Sequence, residues 1–157
     1  NLDTGNSLPT ALMYHIVDAY LNRSRKDWSR HFLNEQKQQD AQNARIWQNE
    51  ENRKNLEKKP SFTLASMSGV YENELYGQIQ IEALEDKIQL QLLAHPGIVG
   101  TLEHWNNDRF LVRFNDPAFG RAFIPFKSEK GAVKSFTIQI RPDFLDPLVY
   151  FFTKKME

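Results

Sequence analysis

Residues 77–93 read GQIQIEALEDKIQLQLL, and this stretch decides the fold. Its apolar side chains alternate with polar ones on both sides of a short Glu-Asp turn, which is the period of a strand with one buried face. Two such runs joined by a short turn predict an antiparallel hairpin. The residues predicted on the buried faces are Ile79, Ile81, Ile88, Leu90 and Leu92.

The same alternation continues before and after this hairpin. Short apolar-polar runs, separated by Gly, Pro, Asn and Asp, recur about every 8–12 residues, which is typical of an antiparallel barrel or sandwich. Pro125 lies inside one run and indicates an edge strand or a bulge. The predicted strands are 70–72, 77–84, 87–93, 98–105, 110–114, 121–127, 132–140 and 148–153.

The residues before Pro60 have a different character, with helical rather than strand periodicity. Their apolar residues fall on one stripe of a first helix that follows Ser7, a candidate N-cap, and that ends near Asn22. Asp27 is predicted to cap a second helix. The residues of the stripe are Leu8, Leu12, Met13, Ile16, Val17, Tyr20 and Leu21.

Residues 35–59 contain few apolar side chains and many Gln, Glu, Lys and Arg, which favour a helix intrinsically. They are interpreted as a solvated helix or spacer, with a functional linker or dimerising arm as the alternative. Every phenylalanine except Phe32 lies after residue 61. We therefore predict an α+β chain, with a helical segment at 1–59 and an antiparallel up-and-down β-barrel of about eight strands at 61–157.

Composition excludes several classes of function. The net charge is zero, from 20 basic and 20 acidic residues, so no basic surplus attracts nucleic acid or an anionic membrane. There is no cysteine, and no apolar stretch reaches the roughly 18 residues of a membrane span. The start at Asn1, without a methionine, suggests an excised fragment or a processed product.

A run around His104 contains the candidate site of the chain. One interpretation is a ligand site at a barrel mouth, formed by Tyr76, His104, Trp105 and Phe110. The other is a structural turn, in which His104 bonds the backbone, Asp108 caps the turn, and Trp105 and Phe110 fill the core. Tyr76 has the same ambiguity between binding and packing.

The histidines do not form a metal site by spacing. None of the four stands two residues from another on a strand or four residues from another on a helix. They are His15, His31, His95 and His104. We therefore predict no metal and no cofactor.

Four short motifs, taken together and in order, resemble a known family. They are GVYENELYG at 69–77, LEHWNNDRF at 102–110, Asp116-Pro117 with Gly120 and Phe123, and Lys130-Gly131 followed by Val133 and 136–138. They are similar to the C-terminal lipocalin-like domain, itself of unknown function, of serine β-lactamase-like and penicillin-binding-protein-like hydrolases of the S12 type. The resemblance covers residues 61–153 and implies a lipocalin-like barrel.

The resemblance also implies a partner for the first helix. Asn1-Leu2-Asp3 and the helix after it are similar to the last strand and terminal helix of the catalytic β-lactamase-like domain. That domain, in the same polypeptide, is then the expected partner, and a homo-oligomer through the helix at 8–22 is the alternative. The family implies a bacterial protein with a periplasmic or secreted location.

Catalysis in that superfamily needs Ser-x-x-Lys, so that the amine can take the hydroxyl proton. None of the serines has a lysine three positions later, and no Lys-Thr-Gly motif is present. The Tyr-x-Asn string at 71–73 is interpreted as a chance match in a strand and turn. We therefore predict that the chain has no catalytic residues and is not an enzyme.

Overall fold

The computed structural model describes residues 6–84, 86–140 and 148–155, so the predicted strand end at Asn1-Leu2-Asp3 lies outside the described residues. The chain divides into two compact units, Asn1–Asn52 and Arg53–Glu157. Residues 53–60 are described with the barrel because their contacts lie there. The predicted domain boundary at residue 60 stays a prediction.

The first unit is a helical one, formed by α1 (Leu8–Tyr20) and α2 (Trp28–Arg53). The Arg30 amide donates to the Asp27 carboxylate at 2.9 Å, so Asp27 caps α2, as predicted. At α1, Asn6 rather than Ser7 supplies the capping oxygen, to the Leu8 amide at 3.1 Å. The polar run continues α2 as far as Arg53, as the helix-favouring composition predicts, whereas residues 54–59 leave the helix.

Aromatic contacts hold the two helices together along one side of α1. Tyr14 stacks on Trp28 with ring centroids 4.5 Å apart, and the Trp28 indole N–H donates to Asp18 at 2.6 Å. Ala11 is the one buried residue of α1. The remaining apolar stripe is exposed, and comprises Leu8, Leu12, Met13, Ile16, Val17, Tyr20 and Leu21. Among the described residues, no helix combines the length and apolarity that a membrane crossing requires.

The second unit is a closed barrel in which each strand pairs antiparallel with its neighbours in sequence and β8 pairs with β1. The predicted architecture and its eight strands are confirmed. The strands are β1 (Gly69–Asn73), β2 (Gly77–Ala83), β3 (Ile88–Leu92), β4 (Val99–Asn106), β5 (Arg109–Phe114), β6 (Arg121–Glu129), β7 (Ala132–Ile138) and β8 (Tyr150–Lys154). A 3₁₀ turn, Leu64–Met67, precedes β1.

Pro125 marks the point where β6 changes partner. Residues 121–125 pair with β5, whereas the register with β7 begins at Phe126. The missing N–H of Pro125 therefore falls where no bond to β7 is required. Of the two alternatives predicted from Pro125, the edge strand is wrong because β6 pairs with both β5 and β7. The bulge alternative has a counterpart close by, where the register shifts between Lys127 and Ser128.

A continuous series of aromatic rings fills the interior of the barrel. Phe126 contacts Phe110 and Phe136, with ring centroids 5.5 and 5.4 Å apart. Phe62 packs against Phe110 from the segment before the barrel, and Phe136 stacks on Phe152 at 5.2 Å. Eight strands enclose a space just wide enough to be filled by side chains, and these rings occupy it together with aliphatic residues of β2 to β7.

Candidate functional site

The hairpin of β4 and β5 carries three of the four predicted ligand-site residues, and it presents them on two opposite faces. Leu102 lies in the barrel core, so alternation places His104 inside and Glu103 outside. A bulge follows: His104 pairs with Phe110 and Asn106 pairs with Arg109. Trp105, left between them, lies on the outer face.

The inner face of this hairpin is a packed turn. The His104 ring lies 5.1 Å from the fully buried Phe110 ring. His104 Nε2 lies 2.9 Å from the backbone oxygen of Asn107, and because a carbonyl only accepts, Nε2 carries the proton. The interpretation of His104 as a residue that bonds the turn backbone is therefore confirmed.

Three apolar side chains form what we call the outer patch: Trp105, Leu111 and Phe123. Trp105 and Leu111 are fully buried although they lie outside the barrel. Trp105 meets Phe123 edge to face at 5.3 Å, and Leu111 pairs with Phe123 in the strand register. Trp105 is buried, as the packing interpretation predicted, but it lies outside the barrel interior because it shares the outward parity of Glu103.

Residues 53–61, which we call the strap, lie along the turn of this hairpin. The Asn55 amide donates to the Trp105 carbonyl at 2.9 Å, and the Asn107 amide donates to the Lys58 carbonyl at 2.8 Å. The Asn106 side-chain amide also donates to the Arg53 carbonyl at 2.9 Å. The strap is thus bound mainly through its own backbone.

Charged groups fix the first part of the strap. The Lys54 ammonium forms an ion pair with Glu103 and lies 4.9 Å from the centroid of the Trp105 ring. Arg113 stands 3.7 Å from the other oxygen of Glu103. Lys54 therefore occupies a site made of a carboxylate and an indole face, the two groups that attract an ammonium ion.

The prediction that Asp108 caps its own turn was wrong, because its carboxylate binds Ser61, the last residue of the strap. Its two carboxylate oxygens accept from the Ser61 amide at 2.7 Å and from the Ser61 hydroxyl at 2.8 Å. The Ser61 oxygen in turn lies 2.8 Å from the Ser128 hydroxyl. The LEHWNNDRF motif thus supplies a binding surface for an upstream segment of the same chain.

The four predicted ligand-site residues do not converge. His104 and Phe110 are in contact, whereas Trp105 lies on the other face of β4. Tyr76 lies in the β1–β2 turn and packs on Tyr150 at 4.2 Å. Because successive turns of an up-and-down barrel alternate between its ends, the β1–β2 and β4–β5 turns lie at opposite ends. Ligand binding by these residues stays a prediction.

Sequence reasoning missed the strap residues that make the contacts, chiefly Lys54, Asn55 and Ser61. Lys54 and Asn55 belong to the run at 35–59 that was interpreted as a solvated helix or spacer, and Ser61 follows it. No pattern within that run distinguishes a bound segment from a solvated one. The usable signal was in the hairpin. Once Leu102 is placed in the core, a bulky Trp105 must face outward, and an outward tryptophan needs a cover.

Tyr71, of the Tyr-x-Asn string, is a core residue. Its hydroxyl donates to the Met67 carbonyl at 2.7 Å, and its ring packs against Phe136. Burial raises the pKa of this phenol, which opposes use as a base. Within the described ranges, no group of three or more His, Asp or Glu side chains is placed to hold a metal ion.

Comparison with known proteins gives one matching family and one similar solved structure. The family model described as a domain of unknown function, DUF3471, matches residues 53–151. The crystal structure of the C-terminal domain of penicillin binding protein Rv0907 is similar at 19% identity with a TM-score of 0.44, over 59% of this chain and 84% of that one. No curated protein matches the chain.

Proposed function

The chain belongs to the DUF3471 family of domains of unknown function, and from that premise we propose that it is a non-catalytic accessory domain of a serine β-lactamase-like, S12-type hydrolase. Its role is to dock on the catalytic domain of the same polypeptide and to shape access to that domain's substrate site. The motif resemblance and the exposed stripe of α1 support this proposal.

The stripe of α1 is the observation that carries the docking role. Leu12 is 58% exposed, Ile16 50% and Tyr20 87%. Contiguous apolar patches of this kind on soluble proteins mark interaction surfaces. One side of α1 packs on α2, and a second, apolar side is exposed. We infer that this second side binds another protein surface.

The catalytic domain is the occupant that we favour for this surface. The sequence of α1 resembles the terminal helix of that domain, so α1 would belong structurally to it. A homo-oligomer through residues 8–22 is the competing arrangement, because the same stripe can pair with a second copy. The chain itself contains no Ser-x-x-Lys, so catalysis is assigned to the partner.

Thiol labelling tests the proposal directly, since the chain has no cysteine of its own. Leu12→Cys should react quickly in the 157-residue chain and slowly in a longer polypeptide that also carries the β-lactamase-like domain. Gln42→Cys, at an exposed polar position of α2, is the control and should react equally fast in both.

Two outcomes would count against docking on the catalytic domain. Equal labelling rates of Leu12→Cys in the short and long polypeptides would show that α1 is not covered by the catalytic domain. Labelling of the short chain that slows with its own concentration would support the homo-oligomer instead, and sedimentation of a Leu12→Glu variant would then show dissociation.

Ligand binding inside the barrel is the second hypothesis, and the observations favour it less. The ring contacts cross the interior, and Phe110 is fully buried among them. Tyr76 and His104 lie at opposite ends of the barrel. A ligand of ordinary size, in a pocket of roughly 300 Å³ or more, would have to displace packed rings to reach these residues together.

A further inference from the structure

The strap has the features of a bound peptide. We propose that residues 53–61 are a reversible ligand of the β4–β5 hairpin, held in cis, and that the surface they leave on opening binds a short peptide with a lysine side chain. This proposal concerns the barrel unit alone and does not depend on the hydrolase context.

The main-chain contacts have the pattern of peptide recognition. The strap offers a donor at Asn55 to the Trp105 carbonyl and an acceptor at Lys58 to the Asn107 amide. The strap turns between these two bonds, where the Glu57 amide donates to the Asn55 side chain at 3.0 Å. The main-chain bonds therefore hold a segment in a turn conformation, and a side-chain pocket supplies the selectivity. Here the pocket is the one that holds the Lys54 ammonium, between Glu103 and the Trp105 ring.

The composition of the contact makes it weaker than the barrel core. Lys54 and Glu103 are 28% and 43% exposed, and ion pairs with that access to water contribute little. Leu56, the apolar residue at the centre of the strap, points to solvent. Segments with few buried apolar contacts open at lower free energy than the core does.

The C-terminal end of the strap is anchored in the barrel core. Phe62, immediately after the strap, is buried against Phe110 and Phe126. When the strap opens, this end stays fixed in the barrel. The Trp105 ring and Glu103 then lose the Lys54 ammonium that contacts both of them. Arg113 remains 3.7 Å from one oxygen of Glu103, so the vacated site has one carboxylate oxygen and one indole face to offer a lysine ammonium.

Amide hydrogen exchange tests whether the strap opens as a unit. In the whole chain, the amides of Asn55, Ser61 and Asn107, which bond across the strap contact, should share one protection factor. That factor should lie well below that of Leu90 in the core. Lys54→Met should lower all three about three- to ten-fold at low salt and less at high salt.

Lys155→Met is the matched control. Lys155 forms an ion pair with Glu72, 3.2 Å away on another part of the barrel, so its loss should leave the three amides unchanged. Two results would overturn the opening step. One is exchange of the strap amides at the rate and denaturant dependence of Leu90, and the other is an effect of Lys54→Met confined to Asn55.

A peptide added in trans tests the vacated surface. The peptide RKNLEKKPS, with the sequence of residues 53–61, should shift the NMR signals of Trp105 and Asn107 in the Lys54→Met chain more than in the wild type. The same peptide with methionine for its second residue should shift them less. Equal shifts from both peptides, or none, would exclude the lysine-selective surface.

Discussion

The barrel and the helical unit both have a regular apolar face in sequence, but the face is buried in the barrel and exposed in the helical unit. In β2 and β3, Ile81 and Leu90 are fully buried because the barrel closes around them. In α1, the residues with the same regularity are exposed. The comparison teaches that periodicity specifies which side chains share a face, whereas burial depends on whether the same chain supplies the opposing surface.

The largest effect should come from opening a cavity in the barrel. Phe136 is fully buried and contacts Tyr71, Phe126 and Phe152, so Phe136→Ala should lower the free energy of unfolding by about 3–5 kcal/mol. Urea titration followed by circular dichroism measures this loss. Phe151→Ala, on the outer face of the same hairpin and 48% exposed, should cost less than about 1 kcal/mol; equal costs would contradict the core assignment.

Overpacking the same interior should have a smaller effect. A Cβ at Gly100 would stand 2.4 Å from Val112 Cγ2 and 3.3 Å from the Phe114 ring, so Gly100→Ala should cost about 1–3 kcal/mol. Gly97→Ala, where a Cβ meets nothing within 4 Å, should change stability by no more than about 0.5 kcal/mol. The double variant with Val112→Ala should recover part of the loss, and strict additivity would show that the clash is not its cause.

Alkaline pH should weaken the barrel through one phenol. Burial raises the folded-state pKa of Tyr71 above its ordinary value of 10.0, so the folded state keeps a proton that the unfolded state loses. The contribution to stability is complete below pH 10 and decreases above it, by about 1.4 kcal/mol per pH unit. In the Tyr71→Phe variant, the free energy of unfolding, measured in urea from pH 9 to 11, should decrease less steeply with pH than in the wild type. An equally steep decrease would mean that other groups cause it.

The smallest effect should be confined to the helical unit. Asp27→Ala removes the cap that accepts from the Arg30 amide, which should cost about 1 kcal/mol of local helix stability. Amide exchange in the first turn of α2 should then become faster, while exchange in β3 stays the same. Ser29→Ala is the control within that turn, and a matching change in β3 would mean that the two units unfold together.

The sequence was sufficient for the barrel because each strand carried its own signal. Alternation of apolar and polar residues, clearest around Ile79 and Leu90, together with the turn residues between the runs, located all eight strands to within a few residues. It was insufficient for the hairpin motif, whose meaning depends on a contact with a segment about 50 residues earlier. Neither Trp105 nor Asn55 shows that contact in its own neighbourhood, and an outward tryptophan looks like a core residue until its strand is aligned.

Closure of the barrel has a consequence for proteolysis and aggregation. The last seam is short: β8 meets β1 at Tyr71 with Lys154 and at Glu72 with Thr153, and the Lys154 ammonium donates to the Ser66 carbonyl at 2.7 Å. A cut that removed β8 would leave β1 and β7 as two open edges. Their unpaired amides and carbonyls would then be templates for strands of other molecules, so the final strand protects the whole sheet from strand-by-strand polymerisation.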